Sequence, residues 1–135
     1  MMREEIAKSG AKTFFPSPDV IGPYSPAVKA GPLLFTSAQM GIDPATGKLA
    51  GDSIEDQTRQ ALNNLMGILS RAGYDSSDVV QCTVYLRDMK DFQRMNLIYG
   101  GYFADSTYPA RATLGVNDMA LNAKVEIAAI AVKTK

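Results

Sequence analysis

The sequence predicts an α+β fold in which two helices pack on one face of a mixed β-sheet. Strand-like segments come first and are followed by helix, strand, helix, strand and strand, an order that suits one helical layer against one sheet. Two helices cover only one face, yet residues 125–132 are apolar on both parities, as in a strand buried on both sides. A second copy of the chain is the simplest cover for the other face, so we expect a closed homo-oligomer.

The first predicted elements form a hairpin. Residues 27–30 and 33–37 are short β-like runs joined by the turn pair Gly31-Pro32. Residues 43–47 are dense in turn formers and predict a loop that leads toward the first helix.

Two helices follow in the sequence. Asp52 and Glu55 resemble a capping box, apolar residues recur three and four apart up to Ala72, and Gly73 stands where a left-handed residue commonly ends a helix. Asp91 is expected to cap the second helix. For the aromatic-rich stripe of this second helix we favour core packing; it comprises Phe92, Met95, Tyr99, Tyr102 and Phe103.

The remaining strands carry two isolated charges. Residues 79–86, 110–116 and 124–132 are strand-like, and Arg111 and Glu126 each stand alone in an apolar run. Such charges are kept from water only when they are paired, hydrogen-bonded or used in function. If the last two strands form an antiparallel hairpin, Arg111 falls opposite Glu126, and Thr113 shares the face of Arg111. A buried ion pair that only sets the register is the alternative.

The composition narrows the chemistry. The 135 residues are 46% hydrophobic and 21% charged, which predicts one globular domain over residues 1–135. The 14 basic and 14 acidic residues cancel, so the basic excess that favours nucleic-acid binding is missing. The sequence has no histidine and one cysteine, Cys82, which excludes His-dependent nucleophilic systems and the usual zinc sites. Cys82 is expected to be a buried filler. No apolar run approaches membrane-spanning length, and a cytoplasmic location is expected.

Five motifs in order give the chain a family resemblance. They are Ile21-Gly22-Pro23-Tyr24-Ser25-Pro26-Ala27, Phe35-Thr36-Ser37-Ala38-Gln39 with Asp43-Pro44-Ala45-Thr46-Gly47, Asp91-Phe92 with Met95-Asn96 and Tyr99, Pro109-Ala110-Arg111, and Val125-Glu126-Ile127 with Ala129-Ile130-Ala131. Together they resemble the Rid family of small enamine and imine deaminases, also grouped under YjgF-like and L-PSP-like names.

The resemblance implies a chorismate-mutase-like fold and a homotrimer with a barrel-like core and clefts at the subunit interfaces. It also implies a cofactor-independent and metal-free hydrolysis of 2-aminoacrylate, 2-aminocrotonate and their 2-imino acid tautomers to 2-oxo acids and ammonia, as in a 2-iminobutanoate/2-iminopropanoate deaminase. By resemblance, Arg111 holds the substrate carboxylate and Glu126 positions the hydrolytic water. The residues implied to line the cleft are Tyr24, Ser37, Asn96 and Thr113.

Several alternatives stay open at the level of sequence. Tyr24 can anchor a loop, Ser37 can cap a strand end and Asn96 can tie down a neighbouring loop. Ala38 and Thr113 stand where the family usually has glycine and often has cysteine, and Gly115 and residues 117–121 also depart from its pattern. A non-catalytic 2-oxo acid-binding module and a ribonuclease or translation inhibitor are the competing functions. Burial raises the pKa of Glu126 and a nearby Arg111 lowers it, so its protonation state is left open.

Overall fold

The computed structural model describes residues 5–133, which contain two α-helices, five short 3₁₀ helices and ten strands. The α-helices are α1 (Ile54–Arg71) and α2 (Phe92–Tyr99). The strands are β1 (Ala7–Ser9), β2 (Lys12–Phe15), β3 (Ala27–Ala30), β4 (Leu33–Thr36), β5 (Gln39–Met40), β6 (Ile42–Asp43), β7 (Lys48–Leu49), β8 (Val79–Leu86), β9 (Ala110–Gly115) and β10 (Val125–Val132). The predicted α+β class with two helices and a mixed sheet is therefore confirmed.

One large sheet organises the molecule. Its strand order is β1-β2-β3-β4-β10-β8-β9, with β5 also paired to β10, while β6 and β7 form a small separate hairpin. The β3–β4 hairpin was predicted from Gly31-Pro32, whereas β1, β2 and the short strands β5 to β7 were not predicted. The pairing of β8 with β9 is parallel, because α2 carries the chain back to the starting edge of the sheet between these two strands.

The last two strands do not pair with each other, so the predicted final hairpin is wrong. β8 lies between β9 and β10, with Arg111 level with Cys82 and Glu126 level with Tyr85. Consecutive strands are usually neighbours, but here the segment after Gly115 crosses the end of β8 and begins β10 on the far side.

The core lies between the two helices and one face of the sheet. Cys82 is buried there, and burial raises the pKa of its thiol, which agrees with the predicted filler role. Residues of β10 alternate between fully buried and half-buried, because the helices cover only one face. On the opposite face, which we call the open face, Phe35, Val80 and Leu114 are 42–45% exposed. The fully buried large side chains include Leu34, Ile54, Leu62, Leu65, Leu69, Leu86, Met95 and Ile127.

The helix ends are set by local hydrogen bonds. Ser53, not Asp52, caps α1, since its side chain accepts a hydrogen bond from the backbone N–H of Asp56 at 3.0 Å. At the other end Gly73 has a φ of +87° and donates its N–H to Ser70, as the predicted left-handed stop requires. Asp91 precedes α2 as predicted but makes no side-chain cap.

The Asp91 carboxylate instead accepts a hydrogen bond from Arg94 at 2.7 Å.

Within residues 5–133 no helix is long and apolar enough to cross a membrane.

Candidate functional site

Arg111 projects from the edge strand β9 toward α2. The Cζ atom of Arg111 lies 4.7 Å from the ring centroid of Tyr99 and 5.6 Å from that of Phe92, so the guanidinium stacks on two aromatic rings. No ion pair of Arg111 with a carboxylate occurs among residues 5–133. The half-buried guanidinium therefore keeps its fork of N–H donors available to a ligand.

Thr113 and Asn96 flank this arginine. Thr113 follows two residues along β9 on the same face and is half-buried. Asn96 lies between Phe92 and Tyr99 at helical spacings of four and three residues, which places all three on one face of α2. The Asn96 Oδ1 atom is buried and accepts no hydrogen bond within the described part of the chain. An unsatisfied acceptor and a free cation thus lie on the same side of the sheet.

Glu126 lies on β10 and points to the open face. It borders a hollow of about 290 Å³ whose other lining residues are Ala38, Tyr85, Val116, Asp118 and Met119. Burial raises the pKa of Glu126 above its usual range. The sequence left open whether burial or Arg111 has the larger effect on the pKa of Glu126. Burial has the larger effect, because Arg111 lies on the other face of the sheet.

Tyr24 precedes β3, and Ser37 lies between β4 and β5, the two strands that pair with β10 on this side. Tyr24 is 41% exposed and borders a larger hollow of about 430 Å³, which shares Ala38 with the hollow of Glu126. Ser37 donates its hydroxyl to the carbonyl of Ser25 at 2.7 Å and its backbone N–H to the carbonyl of Pro26 at 2.8 Å. Both donors of Ser37 are therefore used to tie the preceding loop to the end of β4, the structural alternative for this residue.

The predicted site residues do not all come together within one chain. We call Arg111, Thr113 and Asn96 the arginine half-site, and Glu126 with the hollow beside it the glutamate half-site. Tyr24 borders only the neighbouring hollow, and Ser37 borders neither. Arg111 is level with position 82 of β8 and Glu126 with position 85, an odd separation that puts their side chains on opposite faces of the sheet. The predicted meeting of these two side chains across a hairpin is therefore wrong for a single chain.

Two aromatic rings make a contact with Arg111 that the sequence did not predict. Met95, Tyr99 and Phe103 of the stripe are buried, as core packing predicts, but Tyr99 also faces Arg111, together with Phe92. Phe92 and Tyr99 are seven residues apart, so they lie on one face of the helix that precedes β9. This spacing could have predicted their contact with the lone arginine of that strand. Tyr85 and Asp118, which border the hollow of Glu126, were also missed.

The chain belongs to the family described as endoribonuclease L-PSP, whose family model matches residues 15–133. This match, together with relatives that carry Rid and RutC names, confirms the resemblance to the Rid family.

The relatives cover most of the chain. It is 49% identical over 117 residues to a RutC family protein of Pyrococcus horikoshii, an overlap of 87% of this chain and 92% of that protein. It is 47% identical over 115 residues to Reactive Intermediate Deaminase A, chloroplastic, of Arabidopsis thaliana, an overlap of 85% of this chain and 61% of the relative. The crystal structure of Escherichia coli TdcF with bound serine has a TM-score of 0.82 at 33% identity and covers 96% of this chain and 99% of that one.

Proposed function

We propose that this protein hydrolyses 2-imino acids and their enamine tautomers, such as 2-aminoacrylate and 2-aminocrotonate, to 2-oxo acids and ammonia. The observation that carries the proposal is the guanidinium of Arg111, which is stacked on two rings and has no carboxylate partner among residues 5–133. Such a group is suited to a small carboxylate ligand. One relative is named Reactive Intermediate Deaminase A, and TdcF holds serine, an amino acid with a free carboxylate.

The proposed active site is shared between copies of the chain in a homotrimer. Within one chain the arginine half-site and the glutamate half-site face away from each other. Arg111 lies on an edge strand that a second copy can approach, and the open face carries exposed apolar residues such as Phe35 and Leu114. In the proposed assembly, the Arg111 of one copy and the Glu126 of its neighbour contact the same substrate.

In this site Arg111 binds and orients the substrate. Its planar fork donates two parallel hydrogen bonds to the carboxylate, which sets the direction of the molecule as well as its position. The imine carbon is then held near the carboxylate of Glu126. The unsatisfied Oδ1 of Asn96 is an acceptor beside the guanidinium and is suited to an N–H of the substrate.

Glu126 serves as the general base and then as the general acid. It takes a proton from water while the water oxygen bonds to the imine carbon, and it passes this proton to the imine nitrogen, which gives a carbinolamine. Glu126 then takes the hydroxyl proton of the carbinolamine as the C=O bond forms. It gives that proton to the amine nitrogen as the C–N bond breaks with its electron pair on nitrogen, so that ammonia leaves and the 2-oxo acid remains. A carboxyl whose pKa is raised by burial is a stronger base than a solvated one, which favours this role.

The test generates 2-aminoacrylate with a serine dehydratase and measures pyruvate or ammonia release with and without the protein. We expect the protein to accelerate release over spontaneous hydrolysis. The Arg111→Ala variant is expected to lose nearly all of this acceleration, at least about a hundredfold, with assembly unchanged by light scattering. No acceleration by the wild-type protein, together with tight 2-oxobutanoate binding, would leave only a binding module. Full activity of Arg111→Ala would place the carboxylate anchor elsewhere.

A ribonuclease activity has weaker support. The formal net charge of zero provides no general attraction to phosphates, and the sequence has no histidine for acid–base cleavage.

A further inference from the structure

Arg111 is a half-buried cation that contacts two aromatic rings. Its guanidinium lies between the strand and two rings of α2, at 4.7 Å from the Tyr99 centroid and 5.6 Å from the Phe92 centroid. A carboxylate partner would neutralise the charge and occupy two N–H donors of the fork. An aromatic ring attracts the cation through its face and uses none of these donors. The stacking therefore fixes the group while leaving its charge and donors for a ligand.

The Tyr99 ring is itself held firmly. It is 5% exposed and packs against the ring of Phe103, with centroids 5.1 Å apart and a tilted arrangement. Burial raises the pKa of its hydroxyl, so the ring stays neutral at physiological pH. Phe92, at the start of α2, is half-buried, and its ring is the second one that contacts the guanidinium. A rigid ring and a second, more accessible ring thus define where the guanidinium lies.

We propose that Phe92 and Tyr99 are positioning residues that clamp the Arg111 guanidinium in the geometry needed to bind a substrate carboxylate. The inference deepens the proposed function and rests on it, because it assumes that Arg111 is the carboxylate anchor. Neither ring has to touch the substrate, and both act through Arg111. Loss of either ring frees a long side chain to sample several rotamers, so each carboxylate contact costs more conformational entropy.

The test compares ring removal with ring retention. In Tyr99→Leu and Phe92→Leu we expect the Kd for 2-oxobutanoate, measured by calorimetry, to rise by about 3- to 30-fold. The KM for 2-aminoacrylate is expected to rise by a similar factor while kcat falls less, because the carboxylate contact exists in both the substrate complex and the transition state. Tyr99→Phe keeps the ring and removes only the hydroxyl, so it is expected to retain the Kd within about twofold.

Phe15→Leu is the matched control. It removes a buried aromatic ring of the same core, 7% exposed, that makes no ring contact with Tyr99 or Arg111 among the described residues. We expect a lower melting temperature and an unchanged Kd for Phe15→Leu. If Tyr99→Leu does not fold, as judged by circular dichroism, the half-buried Phe92 provides the same measurement.

A double-mutant comparison separates positioning from packing. In an Arg111→Ala background, Tyr99→Leu should cause no further loss of 2-oxobutanoate binding, because the ring acts only through the arginine. An unchanged Kd in both the Tyr99→Leu and Phe92→Leu variants, or an equal loss in Phe15→Leu, would overturn the clamp. A wild-type protein that binds 2-oxobutanoate but does not accelerate imine hydrolysis would overturn the proposed function instead, and the Kd values would still test the clamp.

Discussion

At the scale of single residues, Glu126 shows how burial sets the chemistry of a side chain. It stands on a strand whose other parity is fully buried, and burial alone accounts for its raised pKa. The proton is therefore held to a higher pH than on a solvated glutamate, and the carboxylate that forms above that pH is more basic. Arg111 shows the opposite arrangement, in which aromatic rings rather than a counter-ion stabilise a cation.

The pKa of Glu126 predicts a pH profile for the proposed reaction. Because the base must be ionised, kcat/KM should rise with pH through the raised pKa and level off above it, so activity is lost as the pH falls through that value. The measurement is the rate of pyruvate release after subtraction of spontaneous hydrolysis at each pH. Glu126→Gln should abolish this limb, whereas Glu55→Gln at the start of α1 should leave it in place. A limb that persists in Glu126→Gln would assign the base to another group.

At the scale of elements, two glycines of the α1 region show the effect of backbone conformation apart from that of the space available for a side chain. Gly67 lies within the helix and Gly73 lies just beyond its end with a φ of +87°, yet a Cβ atom at either position would meet nothing within 4 Å. The two positions therefore differ in backbone conformation and not in the space available for a Cβ atom. Helix propensity favours alanine over glycine at position 67, while a left-handed φ disfavours any side chain at position 73.

We therefore expect opposite signs from the same substitution. Gly67→Ala should raise the free energy of unfolding by about 0.5–1 kcal/mol, and Gly73→Ala should lower it by about 1 kcal/mol. Urea unfolding at one fixed protein concentration measures both, because the stability of the proposed trimer would depend on concentration. A stabilising Gly73→Ala would show that the helix can end without its left-handed residue.

In the sheet, the position of a strand along the chain was predictable from the sequence, but its pairing partner was not. Gly73 and the strand over residues 79–86 were predictable because their signals lie within a few neighbouring residues. The pairing of β9 was not, since it depends on α2 returning the chain beside β8 rather than on any feature of residues 110–115. A local pattern specifies an element and its faces, while the neighbour of a strand is a property of the whole sheet.

At the scale of the whole molecule, the proposed site requires assembly, because its two half-sites lie on opposite faces of one chain. One chain places Arg111 and Glu126 on opposite faces, and the open face leaves Phe35, Val80 and Leu114 exposed. Covering that face in a homotrimer would bury apolar surface and join the half-sites.

Subunit complementation tests the shared site. Arg111→Ala and Glu126→Gln are each expected to be inactive alone. The two variants are then mixed in equal amounts, unfolded and refolded together, and the random trimers should regain about a quarter of the wild-type rate. A site is intact only when a Glu126→Gln subunit supplies Arg111 and an Arg111→Ala neighbour supplies Glu126. Each of these two conditions is met in about half of the cases. Mixing the folded variants without exchange is the control and should restore nothing. No recovery in trimers proven mixed by mass spectrometry would show that each site lies within one chain.

The sequence by itself determined the helices and main strands of this protein, the isolation of Arg111 and Glu126 in apolar runs, and the family motifs around them. These features follow from local spacing, burial preference and turn chemistry. Only the tertiary structure decided that β8 separates the two charged strands, that Phe92 and Tyr99 stack on Arg111, and that both donors of Ser37 are used within the chain. The physical reason is that strand order and side-chain contacts arise from chain crossings between distant segments, and no short window of sequence contains them.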